Sequence, residues 1–179
     1  MIISKPFLTV EQIQNRVKEL AARISADYEG KEILAVGILK GAFMFIADIS
    51  RLIQVPVNVD FIVASSYIKT STTGEVIIHA DIREDIRDKH VLLFEDILDT
   101  GLTLAYIKNL LLKRNPASLK ICAFLDKKAH RQADLSPDYV GFDIPDYYVV
   151  GYGLDYENKY RNLPYIAIFK QDSVGKIGI

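Results

Sequence analysis

The residues best suited to chemistry lie in one short segment, Phe94-Glu-Asp-Ile-Leu-Asp-Thr-Gly-Leu-Thr103. Glu95 and Asp96 are adjacent acids that follow an apolar run, and Asp99 is a third acid ahead of a Thr-Gly turn. A glycine turn that enters a helix offers free backbone N–H groups and the positive end of the helix dipole, which together bind phosphate. Carboxylates beside such a turn suit sugar hydroxyls or Mg²⁺. The segment therefore predicts a site for a sugar phosphate.

A purely structural interpretation of the same residues stays open. Asp99 and Thr100 would then cap the helix that follows, and the two adjacent acids would be solvated at a strand end. A Walker A loop is excluded, because no Gly-Lys-Ser or Gly-Lys-Thr follows a spaced glycine in the sequence. Spacing alone leaves a phosphate site and a capped helix as alternatives.

The elements around this segment alternate between helices and apolar strands. Thr9 and Gln12 match a helix capping box, and apolar residues at helical spacing continue toward Tyr28. Four apolar runs are typical of strands buried in a parallel sheet, namely residues 32–39, 57–64, 91–94 and 119–125. Further helices are predicted over 42–52 and 103–114, and further strands over 76–79, 139–142, 147–150 and 166–169. The pattern predicts an α/β domain with an open, mainly parallel sheet flanked by helices, which binds ligands at the carboxyl ends of its strands.

Composition excludes several other classes of protein. The 179 residues fit one domain, and 22 basic against 23 acidic residues argue against a protein that coats nucleic acid or an anionic membrane. A single cysteine, Cys122, excludes an intramolecular disulfide and any zinc site that needs two cysteines. No apolar run is long enough to span a membrane and the first residues do not resemble a signal peptide, so we expect a cytoplasmic location.

The segment 94–103 resembles the phosphoribosyl-pyrophosphate signature of type I phosphoribosyltransferases. The chain from about Ile33 to Phe169 is similar to the hypoxanthine(-guanine) phosphoribosyltransferase family in particular. Four further stretches carry this resemblance: Leu39-Lys40-Gly41, Ser66-Tyr67, Lys127, and Val149-Val-Gly-Tyr-Gly-Leu-Asp-Tyr156 with Arg161. The last of these is specific to the branch that acts on 6-oxopurines. Ala42 and Asp126 depart from the human-type pattern and favour a bacterial-type member.

The resemblance implies a fold and a reaction. The fold is the type I phosphoribosyltransferase fold, with a twisted, mainly parallel sheet and a small hood formed by the terminal segments. A single domain over 1–179 would have its core at about 33–169 and a flexible lid at about 66–78. In the reaction, which serves purine salvage, a 6-oxopurine attacks C1 of phosphoribosyl pyrophosphate and displaces pyrophosphate to give a nucleoside monophosphate.

For the sugar phosphate and the leaving group, the resemblance implies a backbone cradle, carboxylates and cations. The 5′-phosphate would be bound by Asp99, Thr100, Gly101, Leu102 and Thr103. The ribose hydroxyls would be bound, directly or through Mg²⁺, by Glu95 and Asp96. Lys40 and Gly41 would form the pyrophosphate loop, where a cis peptide bond without proline is expected, and Arg161 would bind the pyrophosphate.

For the purine, the resemblance implies one proton acceptor and several recognition groups. Asp99 would take the proton from N7, and Lys127 would contact the exocyclic O6. Tyr148 would stack on the ring, and the backbone of Val149 would read its edge. Asp155 would lie near the purine and bind a second Mg²⁺.

A lid over this site is expected on chemical grounds. Substitution at an anomeric carbon develops positive charge on the sugar, and the exposed intermediate would react with water. Residues 65–75 are rich in serine and threonine and predict a loop, with Ser66 and Tyr67 closing on the substrates. We expect this loop to be disordered without substrate and ordered with it.

Several alternatives remain at the level of sequence. The chain could be a regulatory protein of the same fold that binds phosphoribosyl pyrophosphate or RNA, a xanthine-preferring transferase, or a transferase for adenine or pyrimidines. Lys127 argues against adenine, because an ammonium group only donates hydrogen bonds and the purine amino group is no acceptor for it. Without the resemblance, Lys127 also fits a solvated basic turn, and Tyr148 also fits plain core. We expect small-molecule substrates, no nucleic-acid or membrane partner, and a homodimer or homotetramer.

Overall fold

The fold is known from a computed structural model that describes the backbone of residues 2–67 and 75–170 and the side chains of 5–65 and 76–170. Its elements, in chain order, are β1 (Ile2–Leu8), α1 (Val10–Asp27), β2 (Ile33–Leu39), α2 (Phe43–Ser50), β3 (Val57–Tyr67), β4 (Glu75–Ala80), β5 (His90–Leu98), α3 (Leu102–Leu112), β6 (Ser118–Asp126), β7 (Tyr139–Asp143), β8 (Val149–Val150) and β9 (Ile166–Lys170). The predicted alternation of helices and strands is confirmed. None of the described helices is long and apolar enough to cross a membrane.

The main sheet has the described strand order β4-β3-β2-β5-β6-β7. Its strands are parallel except for β4, which pairs with β3 in the antiparallel sense. The central strand β2 is apolar throughout and β5 is apolar over 91–94, as expected for strands covered on both faces, and β5 continues past its predicted end to include Glu95 and Asp96. Parallel pairing brings the carboxyl ends of β2, β5 and β6 to one edge, where the predicted site residues follow.

Helices cover the two faces of this sheet. On one face, Phe45 of α2 packs against Phe94 and Phe124, with ring centroids 5.6 and 5.2 Å apart. On the other face, Leu104 of α3 belongs to a cluster that includes Leu93 of β5. The strands that carry the predicted site are therefore covered by helices on both faces.

The terminal segments build a second, smaller sheet in the order β1-β9-β8. This sheet confirms the expected hood. Strand β1 was not predicted from the sequence, because Lys5 and Pro6 interrupt its apolar pattern. The structure accommodates Pro6 at an irregularity in the register between β1 and β9.

The predicted loop at 65–75 begins later than expected. Residues 65–67 belong to β3, and Ser65, Ser66 and Tyr67 pair with Ile77, Val76 and Glu75 of β4. Backbone pairing in this hairpin overrides the polar composition on which the loop prediction rested. Residues 68–74 of the predicted lid, and the side chains of Ser66 and Tyr67, lie outside the described residues, so the lid stays a prediction.

Candidate active site

Two adjoining cavities lie at the carboxyl edge of the main sheet. The first, here called the hood cavity, has a volume of about 250 Å³ and is lined by Asp96, Ile97, Asp99, Lys127, Tyr147, Tyr148, Val149, Leu154 and Asp155. The second, here called the loop cavity, has a volume of about 160 Å³ and is lined by Glu95, Ile97, Leu98, Asp99, Thr100, Gly101, Thr103 and Leu104. Asp99 and Ile97 line both. The structure thus brings the predicted base-binding and phosphate-binding residues together around Asp99.

The loop cavity ends at the N-terminus of α3. Gly101 adopts a left-handed backbone conformation with φ of 79°, which glycine tolerates and other residues rarely adopt. The first helical hydrogen bond runs from Ala105 N to Gly101 O, at 2.9 Å. The N–H groups just before it have no acceptor within the helix, and they are the groups that bind anions at helix N-termini. The side chain of Leu102 is 46% exposed, so its predicted role concerns its backbone alone.

Two half-buried acidic residues, Glu95 and Asp96, lie next to each other within β5, near its carboxyl end. Glu95 Oε2 is buried without a hydrogen-bond partner in the described part of the chain. Burial and, second, the neighbouring Asp96 carboxylate raise the pKa of Glu95 well above its ordinary value. Burial also raises the pKa of Asp96, although that group accepts a hydrogen bond from Ile97 N at 2.8 Å. The described residues include no ion pair to either carboxyl group, although the charge of Arg161 partly offsets the raised pKa of Asp96.

These carboxylates fit a magnesium ion that is shared with a substrate. No group of three acidic, histidine or cysteine ligands exists among the described residues, so the protein alone offers no full coordination shell. Mg²⁺ is usually held by one or two carboxylates, together with water and substrate phosphates. The unpaired oxygen of Glu95 suits that arrangement. Both oxygens of Asp155, by contrast, already have partners, since Oδ1 lies 2.6 Å from Arg161 Nη2 and Oδ2 accepts from Asn158 N at 2.7 Å.

Replacing Glu95 by glutamine is expected to stabilise the fold at neutral pH. A carboxyl group whose pKa is raised by folding carries no penalty well below its ordinary pKa of 4.5, where it is protonated in both states, and it disfavours folding increasingly as the pH rises above 4.5. Glu95→Gln removes that penalty, and one pKa unit corresponds to about 1.4 kcal/mol. Thermal unfolding should show a variant that is more stable than wild type at pH 7.5, with the difference shrinking toward pH 4.5. Glu19→Gln, on the exposed face of α1, is the control, and a pH-independent difference for Glu95→Gln contradicts the prediction.

Lys127 links the hood cavity to Asp99. Its Nζ lies 2.7 Å from Asp99 Oδ2 and 3.3 Å from Asp146 Oδ1. Burial lowers the pKa of Lys127, but the hydrogen bonds and charges of Asp99 and Asp146 outweigh it, so that the pKa is raised overall. Lys127 is 9% exposed, so the alternative of a solvated turn is wrong. Asp99 Oδ1 is buried without a hydrogen-bond partner in the described residues.

The hood supplies the aromatic side of the cavity. The ring of Tyr148 is 55% exposed, so the alternative that it is plain core is wrong. Its hydroxyl donates to Asp155 O at 3.2 Å, which holds the ring beside the cavity. Val149 is buried and pairs with Ile168 across the hood sheet. Tyr147 and Leu154 also line the cavity, and the sequence patterns did not single them out.

The loop after β2 approaches the same acids from the other side. The Leu39–Lys40 peptide bond is cis, as expected for this loop. Lys40 is exposed, and a Cβ added to Gly41 would lie 1.6 Å from Asp96 Oδ2. Arg161 Nη1 donates to Gly153 O at 2.7 Å, and a Cβ on Gly153 would lie 2.0 Å from Gly41 O. Lys40, Gly41 and Arg161 therefore surround the two cavities without lining them.

Three polar residues of the site were missed at the level of sequence. Asp146 holds Lys127, and His130 Nε2 lies 2.8 Å from Asp146 Oδ2. The pKa of Asp146 is lowered by His130 first and by Lys127 second. Arg131 contacts the loop that carries Asp99. The only signal was a cluster of charges directly after a buried strand, which is equally typical of a solvated turn.

The loop cavity at the N-terminus of α3 suits a phosphate, the hood cavity has room for a base, and Asp99 lines both. This arrangement defines a phosphoribosyltransferase. In agreement, the sequence model of the "Phosphoribosyl transferase domain" family matches residues 9–157. The chain is 45% identical to the hypoxanthine-guanine phosphoribosyltransferase of Bacillus subtilis over 169 residues, which cover 94% of either chain. It is 48% identical to the Staphylococcus aureus (strain Mu50) protein of that name over 171 residues, 95% of this chain and 96% of the relative.

A solved structure agrees with these sequence relationships. The hypoxanthine-guanine phosphoribosyltransferase of Bacillus anthracis superposes with a TM-score of 0.91 and 48% identity, covering 94% of this chain and 100% of that one. The chain belongs to the hypoxanthine-guanine phosphoribosyltransferase family.

Proposed function

We propose that this transferase moves the 5-phosphoribosyl group of phosphoribosyl pyrophosphate to hypoxanthine or guanine, releasing pyrophosphate. The observation that carries the proposal is the position of Asp99. It lines both cavities, accepts from Lys127 at 2.7 Å, and keeps Oδ1 unpaired. One carboxylate can therefore face the base and the sugar at the same time.

The hood cavity supports the choice of a 6-oxopurine. An ammonium group has three N–H donors and no acceptor. Asp99 and Asp146 occupy two of the donors of Lys127, which leaves one for a carbonyl oxygen such as O6. The exposed face of Tyr148 offers a stacking surface for the purine ring.

The proton from the purine goes to Asp99. As N9 of the purine bonds to C1 of the ribose, the bond from C1 to pyrophosphate breaks and N7 releases its proton, which a carboxylate within hydrogen-bond reach accepts. Oδ1 of Asp99 suits this role because no described group competes for it. Lys127 holds the carboxylate through Oδ2, which fixes the direction of Oδ1.

The loops around the cavities support binding of the sugar phosphate and departure of pyrophosphate. Backbone N–H groups at the start of α3 face a 5′-phosphate, and Lys40 and Arg161 supply positive charge for the pyrophosphate. The Glu95 and Asp96 carboxylates would hold Mg²⁺ against the ribose hydroxyls. When bound, that ion neutralises charge that develops on the leaving pyrophosphate.

Exposed apolar side chains on β3 support a homodimer or homotetramer. Val59 and Phe61, two residues apart on the same face of the strand, are 46% and 37% exposed. Apolar side chains that stay exposed on one face of a strand suit a contact between subunits. A cytoplasmic location remains a prediction from the sequence.

Replacing Lys127 by glutamine tests the choice of base. A glutamine amide both donates and accepts, so it loses the strict preference for a carbonyl at position 6. We expect kcat/KM for hypoxanthine and guanine to fall about tenfold to a hundredfold, while the value for adenine stays the same or rises. Steady-state rates with phosphoribosyl pyrophosphate, Mg²⁺ and each of hypoxanthine, guanine, xanthine and adenine give the ratio of kcat/KM for hypoxanthine to kcat/KM for adenine.

Lys128→Gln is the matched control for this experiment. Lys128 is 68% exposed and pairs with Asp143 at 2.7 Å outside the cavities, so its loss should leave the ratio unchanged. An unchanged hypoxanthine-to-adenine ratio in Lys127→Gln would show that Lys127 does not read the base. A wild-type preference for xanthine would favour the xanthine alternative.

A further inference from the structure

Arg131 binds the backbone of the loop that forms the phosphate cradle. Its Nε donates to Asp99 O at 2.8 Å, and its Nη2 donates to Leu98 O at 3.1 Å. Its Nη1 donates to Leu135 O at 2.9 Å, which ties the same guanidinium to the end of its own loop. One side chain thus joins the segment after β6 to the segment after β5.

The residues next to Arg131 extend this contact by one peptide. Gln132 N and Ala133 N both donate to Thr100 O, at 2.9 and 3.1 Å. The carbonyls of three consecutive residues, 98 to 100, all accept hydrogen bonds from the segment 131–133, and Leu98 O accepts a further one from Lys127 N at 3.0 Å. In a trans peptide the C=O of one residue and the N–H of the next point in opposite directions. Binding of these carbonyls on one side therefore directs the N–H groups of Asp99, Thr100 and Gly101, which line the loop cavity, to the other side.

A buried carboxylate holds Arg131 in this position. Arg131 Nη2 also donates to Asp126 Oδ1, and the two side chains are 16% and 3% exposed. Guanidinium is the cation best suited to several simultaneous hydrogen bonds in a fixed plane, and lysine does not reproduce that geometry. Asp126 ends β6, so the rigid strand sets the place of the guanidinium.

We infer that Arg131 is a positioning residue for the 5′-phosphate, acting through the carbonyls of Leu98 and Asp99 rather than by touching substrate. The inference rests on the proposed function, because it assumes that a phosphorylated ribose occupies the loop cavity. A loop whose peptides are already oriented binds phosphate without a further cost in conformational free energy. A misplacement of about 1 Å can lower the reaction rate about a hundredfold.

Arg131→Lys tests this inference, since it keeps a positive charge beside Asp126 and removes the planar set of donors. We expect the KM for phosphoribosyl pyrophosphate and the Kd for inosine 5′-monophosphate to rise about tenfold or more, while the KM for hypoxanthine changes less than about threefold. The Kd is measured by calorimetry and the KM values by steady-state turnover. A double variant, Asp126→Asn with Arg131→Gln, removes both buried charges together. Even if the single variant folds poorly, the double variant should show a raised KM for phosphoribosyl pyrophosphate and a nearly unchanged KM for hypoxanthine.

Arg16→Lys is the matched control. Arg16 also donates to two backbone carbonyls, Gly141 O at 2.7 Å and Val140 O at 2.8 Å, and pairs with Glu19, but it lies outside both cavities. The Arg16→Lys variant should lose thermal stability without any change in the KM for phosphoribosyl pyrophosphate or for hypoxanthine. Equal rises in both KM values for the Arg131 variants, or no rise, would overturn the positioning role. A wild-type chain that neither binds the nucleotide nor turns over would overturn the proposed function instead.

Discussion

Replacing Asp99 by asparagine is expected to lower kcat about 10²- to 10⁴-fold, the usual contribution of a positioned general base. Asparagine has nearly the same shape and can still accept a hydrogen bond from Lys127, but it cannot take a proton at neutral pH. The N–H groups at the start of α3 do not depend on the side chain of Asp99. We therefore expect the KM for phosphoribosyl pyrophosphate to change less than about threefold.

Steady-state kinetics with both substrates varied measure kcat and the KM for phosphoribosyl pyrophosphate separately. Asp143→Asn is the matched control, because Asp143 also lies 2.7 Å from a lysine Nζ but on the exposed surface. That variant should keep wild-type rates. If Asp99→Asn retained more than about a tenth of the wild-type kcat, another group would have to accept the proton.

Replacing Gly41 by alanine is expected to lower kcat/KM for phosphoribosyl pyrophosphate about a hundredfold or more. The added Cβ would lie 1.6 Å from Asp96 Oδ2 and 2.3 Å from Asp96 Cγ, so the carboxylate must move. The loop cannot retreat toward Gly153, because Gly41 O already occupies the position where a side chain at Gly153 would begin. The displaced carboxylate is one that the proposed mechanism assigns to the ribose and to Mg²⁺.

Gly30→Ala is the control for this change. Gly30 has a φ of 72°, and nothing lies within 4 Å of a Cβ added there. Alanine at that position should cost about 1 kcal/mol of stability through backbone strain and leave the kinetic constants unchanged. Kinetics of Gly41→Ala that match those of Gly30→Ala would show that the close approach of Gly41 to Asp96 has no part in the reaction.

The strands and the acids at the carboxyl end of β5 could be predicted because they depend on local patterns. An apolar run that is covered on both faces predicts a central strand, and the residues directly after it must lie at the carboxyl edge. The resemblance then assigned roles to residues on five separate segments. The structure brings Lys127, Tyr148 and Asp155 to one cavity with Asp99, although they are far apart in the sequence.

Arg131 and Asp146 could not be predicted, because their roles depend on contacts between loops. The local sequence pattern around a charged residue in a turn is the same whether its side chain faces water or a neighbouring carbonyl group. Only the packing of the segment after β6 against the segment after β5 shows that Arg131 binds Leu98 O and Asp99 O. Strand β1 was missed for a similar reason, since its pairing with β9 compensates for a proline that the local pattern disfavours.

The most direct test of the central claim is the turnover of phosphoribosyl pyrophosphate by the wild-type chain with Mg²⁺ and hypoxanthine or guanine. The proposed chemistry predicts that nucleoside monophosphate and pyrophosphate form in equal amounts, with little product from adenine, and that Asp99→Asn suppresses both products together. Binding of phosphoribosyl pyrophosphate without product from any base would contradict the claim and favour a regulatory protein of the same fold.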